Sequence, residues 1–205
     1  MTGKTPLTYK IVGELENKTL KQMNWDMAIG LNKVDNLEPS KYLQELVAEN
    51  VDGKIKNEDV EEALHRYYAL QTLEDTKIIG ERECDLVSTR IVKLFERGGF
   101  SFTPVALKNI HHNLFNGIYD FAGEFRTVNI YKNEPVLNGK SINYADFSML
   151  DQTLSYDFGE EKRSDYAQMT VEEKIKHIGS FTSSIWQVHP FLDGNAPKRH
   201  QLKVA

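Results

Sequence analysis

The sequence predicts a mainly α fold carrying one small β-hairpin, on three observations. Apolar residues recur at three- and four-residue spacing through most of the chain. Hydroxyl, acidic or proline residues stand where those runs begin. Asn138-Gly139 is the strongest two-residue hairpin signal, and its flanks supply the only convincing hairpin.

Taken in order, Leu20, Met23, Met27 and Leu31 recur at helical spacing, with Trp25 and Ile29 to one side, and predict a helix over 20–31. Pro39 breaks the chain after it, because its ring fixes φ and biases Glu38 away from helix; it also suits the first turn of the next helix. Tyr42, Leu43, Leu46 and Val47 give that second helix a buried face, and Asp52-Gly53 ends it in a turn. Asn57, followed by Glu58 and Asp59, starts a third helix with Val60, Leu64 and Tyr67-Tyr68. A longer helical pattern fills 71–97 and closes at Gly98-Gly99. Thr103-Pro104 caps and opens another, over Leu107, Ile110, Leu114 and Phe115. Thr127–Tyr131 and Pro135–Leu137 read as short strands joined through Asn138-Gly139. Helix returns over about 144–156 and again over about 170–187, the latter with Ile175, Ile178, Ile185 and Trp186 facing inward.

Composition narrows the function. The 205 residues suit one generous domain or a domain with a small lobe. Lys and Arg total 25 against 30 Asp and Glu, a net charge of −5, which argues against a nucleic-acid or anionic-lipid surface. No apolar run nears the roughly 18 residues of a membrane span, and Met1–Lys10 has no apolar leader core. The single cysteine, Cys84, can form neither an intrachain disulfide nor a thiolate metal cluster. The expectation is a soluble cytoplasmic protein.

Chemistry concentrates after the last long helix, in Val188-His189-Pro190-Phe191-Leu192-Asp193-Gly194-Asn195-Ala196-Pro197-Lys198-Arg199-His200. Gly194 can take backbone angles that turn successive N–H groups toward one point, and Pro197 would set that point at a helix N-terminus, which attracts phosphate. Asp193 beside it suits Mg²⁺, which favours one or two carboxylates with phosphate oxygens. His189 can accept a proton near neutral pH. These are the parts of phosphoryl or nucleotidyl transfer; the structural alternative is a helix-capping loop with a core histidine.

The run His189–Asn195 resembles the Fic-domain signature, His-Pro-Phe-x-Asp/Glu-Gly-Asn-Gly-Arg-x-x-Arg, at seven consecutive positions. The resemblance extends upstream through Ser88–Ile91 and Leu94, Phe100–Leu107, Ile110-His111, Leu114-Phe115, Gly117–Tyr119, Phe121–Gly123 and Arg126. It covers roughly 80–195 and implies a Fic-type helical bundle with a small β-hairpin flap at about 128–143, which would dock a target peptide. It further implies a protein adenylyltransferase that moves AMP from ATP to a Ser, Thr or Tyr hydroxyl of a target protein. His189 would be the base, Asp193 the Mg²⁺ ligand, and Gly194 and Asn195, with Lys132 and Asn133 of the flap, would bind the nucleotide. Phe191 would anchor the loop. Residues 71–205 would form the Fic domain, and a homo-oligomer is compatible with the resemblance.

The departure begins at once. Where the signature has Gly-Arg and a second Arg, this chain has Ala196, Pro197 and His200; Lys198 and Arg199 are out of register by about 100° per residue on a helix. Each missing phosphate clamp forfeits a charge-assisted contact of roughly 1.5–3 kcal/mol, so ATP binding should be weak and transfer slow or absent. The alternative is a catalytically inactive Fic-like module that binds peptide by strand addition. The sequence stops at Ala205, where the signature proteins continue in helix; a frameshift or truncation after codon 195 is the corresponding expectation, tested by sequencing the gene onward.

Residues 1–70 resemble an antitoxin-like inhibitory segment, whose motif is Ser/Thr-x-x-x-Glu-Gly/Asn. Asp35-Asn36 aligns with its Glu-Gly/Asn as a regulatory candidate, but Leu31 replaces the hydroxyl and the carboxylate is one methylene short. An ordinary helix end is the competing reading. His111 and His112 point about 100° apart on a helix and cannot share a metal. Glu160–Arg163 and Glu172-Glu173 read as solvated faces, Tyr67-Tyr68 and Asn143-Tyr144 as packing, and Cys84 as an inert buried thiol.

Overall fold

The structure is a computed structural model that describes residues 12–33, 36–72, 74–99, 101–131, 142–195 and 203–204. The chain divides into two compact units, Met1–Gly98 and Gly99–Ala205. No helix among the described residues is long and apolar enough to cross a membrane.

The first unit holds α1 (Val12–Lys33), α2 (Lys41–Val51), α3 (Asn57–Ala69) and α4 (Thr76–Arg97), with α4 packed against both α1 and α3. Two helix starts differ from the sequence reading. Ser40 is the N-cap of α2, its hydroxyl accepting from Leu43 N–H, so Pro39 stands before the cap rather than in the first turn. α4 starts at Thr76 rather than 71, where the Asp75 carboxylate accepts from Lys77 N–H. Trp25, Leu43, Val60, Leu64, Leu86 and Val92 form the core. Buried polar groups tie the helices together. Trp25 Nε1–H donates to Asn50 Oδ1 (2.9 Å), Asn32 Nδ2–H to Ser88 Oγ (3.1 Å), and Asp85 accepts from Ser40 N–H, Ser40 Oγ–H and Tyr68 Oη–H.

One face reads differently from its pattern. Leu20, Met23, Met27 and Leu31, the periodic set of α1, are exposed, whereas Trp25 and Ala28 are fully buried with Asn32. Residues 25, 28 and 32 also have helical spacing, and the indole contributes the largest apolar area on α1 together with a hydrogen bond that needs Asn50. Packing also divides the chain at Gly98–Gly99 rather than near residue 70, because α4 completes the core of the first unit.

The second unit holds α5 (Pro104–Phe115), β1 (Ile130–Tyr131), α6 (Leu150–Arg163), α7 (Val171–Val188) and β2 (Lys203–Val204). Thr103 Oγ1 caps α5, and a reciprocal Thr170–Glu173 box caps α7. The core is Leu150, Leu154, Phe158 and Val188, joined by Phe102, Leu107, Phe125, Phe181 and Ile185. Four details correct the sequence reading. The helix placed at 144–156 starts at Leu150, after a 3₁₀ turn at Phe147–Met149 capped by Asp146, and runs to Arg163. Ile175 and Ile178 are exposed; Ile185 packs inward as read, and Phe181 and Val188 join it, the Phe181 ring meeting Phe102 and Phe158. Trp186 is only half-buried. Glu161 is buried rather than solvated, its carboxylate accepting from Tyr166 Oη–H and pairing with His177 Nε2 at 2.8 Å.

Among the described residues β1 pairs antiparallel with β2, Ile130 opposite Val204 and Tyr131 opposite Lys203. The Asn138-Gly139 turn and the run Pro135–Leu137 lie outside the described residues.

Candidate functional site

The loop 189–195 leaves the C-terminus of α7, where His189 takes the left-handed conformation (φ 51°, ψ 62°) and its N–H donates to Ile185 C=O. That conformation is unusual for a residue with a β-carbon. Three sets of bonds hold it.

Arg126 supplies the first. Its side chain is 3% exposed. Nε–H donates to His189 C=O (2.8 Å), Nη1–H to Val128 C=O (2.7 Å), and Nη2–H to Ala145 C=O and Val188 C=O. Its backbone N–H donates to Pro190 C=O at 2.8 Å. A buried guanidinium thus meets the free carbonyls that a helix C-terminus leaves.

His111, on α5, supplies the second. Its Nδ1 accepts from Gly123 N–H (2.8 Å), so the ring proton lies on Nε2 and points to Asp193 C=O (3.0 Å). Burial pushes the His111 pKa down, which favours this neutral form. The ring stacks on Phe191 at 3.8 Å between centroids. Phe191 is buried, as the anchor role requires.

The third set is internal. Asn195 Oδ1 accepts from Phe191 N–H (2.7 Å) while Nδ2–H donates to Phe191 C=O (2.5 Å), closing the loop on itself. Asp193 Oδ1 accepts from Gly194 N–H at 2.8 Å, which aims the carboxylate. Gly194 sits at φ 69°, and a β-carbon there would lie 2.5 Å from Phe115 Cε2 and 3.0 Å from His111 Nε2. Only glycine suits both the angle and the space.

The structure brings His189, Asp193, Gly194 and Asn195 into one loop, as read from sequence. Lys132, Asn133, Asp35 and Ala196–His200 lie outside the described residues. Asn36 is described: it takes φ 59° and its N–H bonds Lys33 C=O at the end of α1, as an ordinary helix end does. His189 is only 1% exposed, with the Tyr144 ring against it at 4.6 Å. His112 Nδ1 lies 3.1 Å from Ala122 C=O, turned from His111's partners. Sequence reasoning quoted Arg126 and His111 without assigning either a role. The available signal was a lone cation and a histidine set among Phe115, Phe121, Phe125 and Phe191, where a polar group must find partners.

For a divalent cation the loop offers one aimed carboxylate, and no cluster of three or more His, Cys, Asp or Glu forms a metal cage among the described residues. That donor set fits Mg²⁺, which takes its remaining ligands from phosphate and water. It does not fit a self-contained structural metal.

Residues 101–197 match the Fic/DOC family, and this part of the chain belongs to it as a Fic domain. No solved structure matches the chain. The mainly α architecture agrees with a Fic fold, and the family match supports Fic-type group transfer in general.

Proposed function

We propose that the chain is a Fic-type protein adenylyltransferase whose transfer is weakened by the residues that follow Asn195. The observation that carries the reading is the loop His189–Asn195, held by Arg126, His111 and Asn195 into a single geometry. Such fixed positioning is what in-line transfer at phosphorus requires.

In this reading His189 takes the proton of a target Ser, Thr or Tyr hydroxyl as its oxygen bonds to the α-phosphorus of ATP. The bond to the α/β-bridging oxygen breaks, and pyrophosphate leaves with the electron pair. Gly194 and Asn195 would cradle the phosphates, and Asp193 would hold Mg²⁺. When bound, that ion supplies charge neutralisation at the phosphate oxygens. His189 is buried with the Tyr144 ring against it, so the imidazole must be uncovered before a hydroxyl can reach it.

Ala196, Pro197 and His200 favour a second reading, a Fic-like module that binds peptide without transfer. Incubation of the chain and a cell lysate with labelled ATP separates the two. Protein labelled from α-³²P-ATP and dependent on His189 supports adenylyl transfer. Label from γ-³²P-ATP alone points to phosphoryl transfer, and no label from either supports the binding module.

A further inference from the structure

We propose that Arg126 is a positioning residue that couples the two roots of the flap segment to the backbone and ring of His189. The segment between Tyr131 and Ile142 enters and leaves through residues that this one guanidinium holds: Val128 C=O on the entering side and Ala145 C=O on the leaving side. The same group holds the carbonyls of Val188 and His189, and its backbone N–H holds Pro190. Four carbonyls on three separate stretches of chain therefore share one planar, rigid donor. A shift at either root must redistribute donors at His189, because a buried carbonyl left without one is costly.

A contact to the ring runs in parallel. Tyr144, next to Ala145, lies against His189 at 4.6 Å. Movement of the leaving root thus carries both the peptide bond and the cover of the same histidine. Outside the buried hub, an exposed latch ties the two roots to each other: Asn129 Nδ2–H donates to Asp146 Oδ2 and Phe147 N–H to Asn129 Oδ1, each at 2.9 Å. Asp146 also faces the Arg126 charge. Asn129, whose side chain bonds Asp146 and Phe147 rather than Arg126, is the place to perturb the roots.

The inference deepens the transferase reading, since it supplies a route from a seated target to the base. Its test does not need transfer, so an inactive chain leaves it standing or falling on its own. The His189 imidazole resonance, assigned with His189→Gln, is followed in the whole chain for four forms: unaltered, Asn129→Ala, Arg126→Lys and the double variant. Asn129→Ala shifts the resonance in the Arg126 background and by a much smaller amount in the Lys background, where the Tyr144 contact remains but the fork is lost and the charge kept. Equal shifts in both backgrounds, or none in either, overturn the proposal. If Arg126→Lys does not fold, amide exchange in Asn129→Ala alone decides. The Arg126 and Phe191 amides then exchange faster together with Phe147, by about two- to hundredfold, the range that couplings between contacting residues span. Acceleration confined to Phe147 overturns it.

Discussion

Gly194 combines two demands that a side chain cannot meet, a positive φ and a wall of Phe115 and His111 where a β-carbon would stand. Gly194→Ala should lower the stability of the Fic unit by about 2–4 kcal/mol, from backbone strain and overpacking together. Urea unfolding followed by the fluorescence of Trp186, with Trp25→Phe in both chains compared, measures this, and a loss below about 0.5 kcal/mol would contradict the close approach. Asp85 makes a pH prediction. Burial raises its pKa to about 6 despite the donors Ser40 and Tyr68. Its folded value lies above its unfolded one, so the stability it contributes is full below about pH 4 and is lost as pH rises through about 6. The difference is about 3 kcal/mol at one pKa unit per 1.36 kcal/mol. The first unit should therefore resist urea better at pH 4 than at pH 7 through this group, and Asp85→Asn should flatten that slope. At this level the sequence was informative where a residue type has one use, as with Gly194 and Phe191. It was mute on Arg126 and His111, whose partners are backbone groups far along the chain.

Helix starts were legible at Thr103 and Thr170, because a cap is local and each accepts from a backbone N–H in the first turn. Ser40 and Asp75 act the same way, but the neighbouring Pro39 and the apolar run from residue 71 drew the reading off them. Helix faces were less so. α1 carries two sets of residues at helical spacing, and only packing selects between Trp25–Ala28–Asn32 and Leu20–Met23–Met27–Leu31. The choice has a sharp consequence. Trp25→Ala should cost about 3–5 kcal/mol, whereas Met27→Gln should stay within about 0.5 kcal/mol. Thermal unfolding of the two variants checks this, and similar losses in both would mean that the helix is rotated. On α7 the stripe itself was read correctly at Ile185, but its N-terminal residues Ile175 and Ile178 are exposed, and only Phe181, Ile185 and Val188 further along it reach the core.

For the whole chain, the mainly α architecture and the Fic segment were legible from the local helical period and from seven consecutive motif residues. The division into units at Gly98–Gly99 was not, because it depends on which neighbours α4 finds. The motif's departure makes the last functional prediction. Ala196→Gly, Pro197→Arg and His200→Arg together should raise affinity for Mg²⁺-ATP by roughly a hundred- to ten-thousandfold, the worth of two charge-assisted phosphate contacts. Calorimetry measures it directly. An unchanged affinity would show that the loop lacks a phosphate site for those arginines to complete.

Cys84 is the chain's one thiol, fully buried in α4, with burial pushing its pKa up to about 12. At pH 8 about one such group in ten thousand is thiolate, against an appreciable fraction once it meets water. A disulfide reagent would therefore modify this protein only during excursions that expose α4. The rate of that modification is a clock for the opening of the first unit, readable without any introduced label. Because the second unit has no thiol of its own, the clock is blind to it, and comparison with Trp186 fluorescence in a Trp25→Phe chain would show whether the two units unfold in one event or in two.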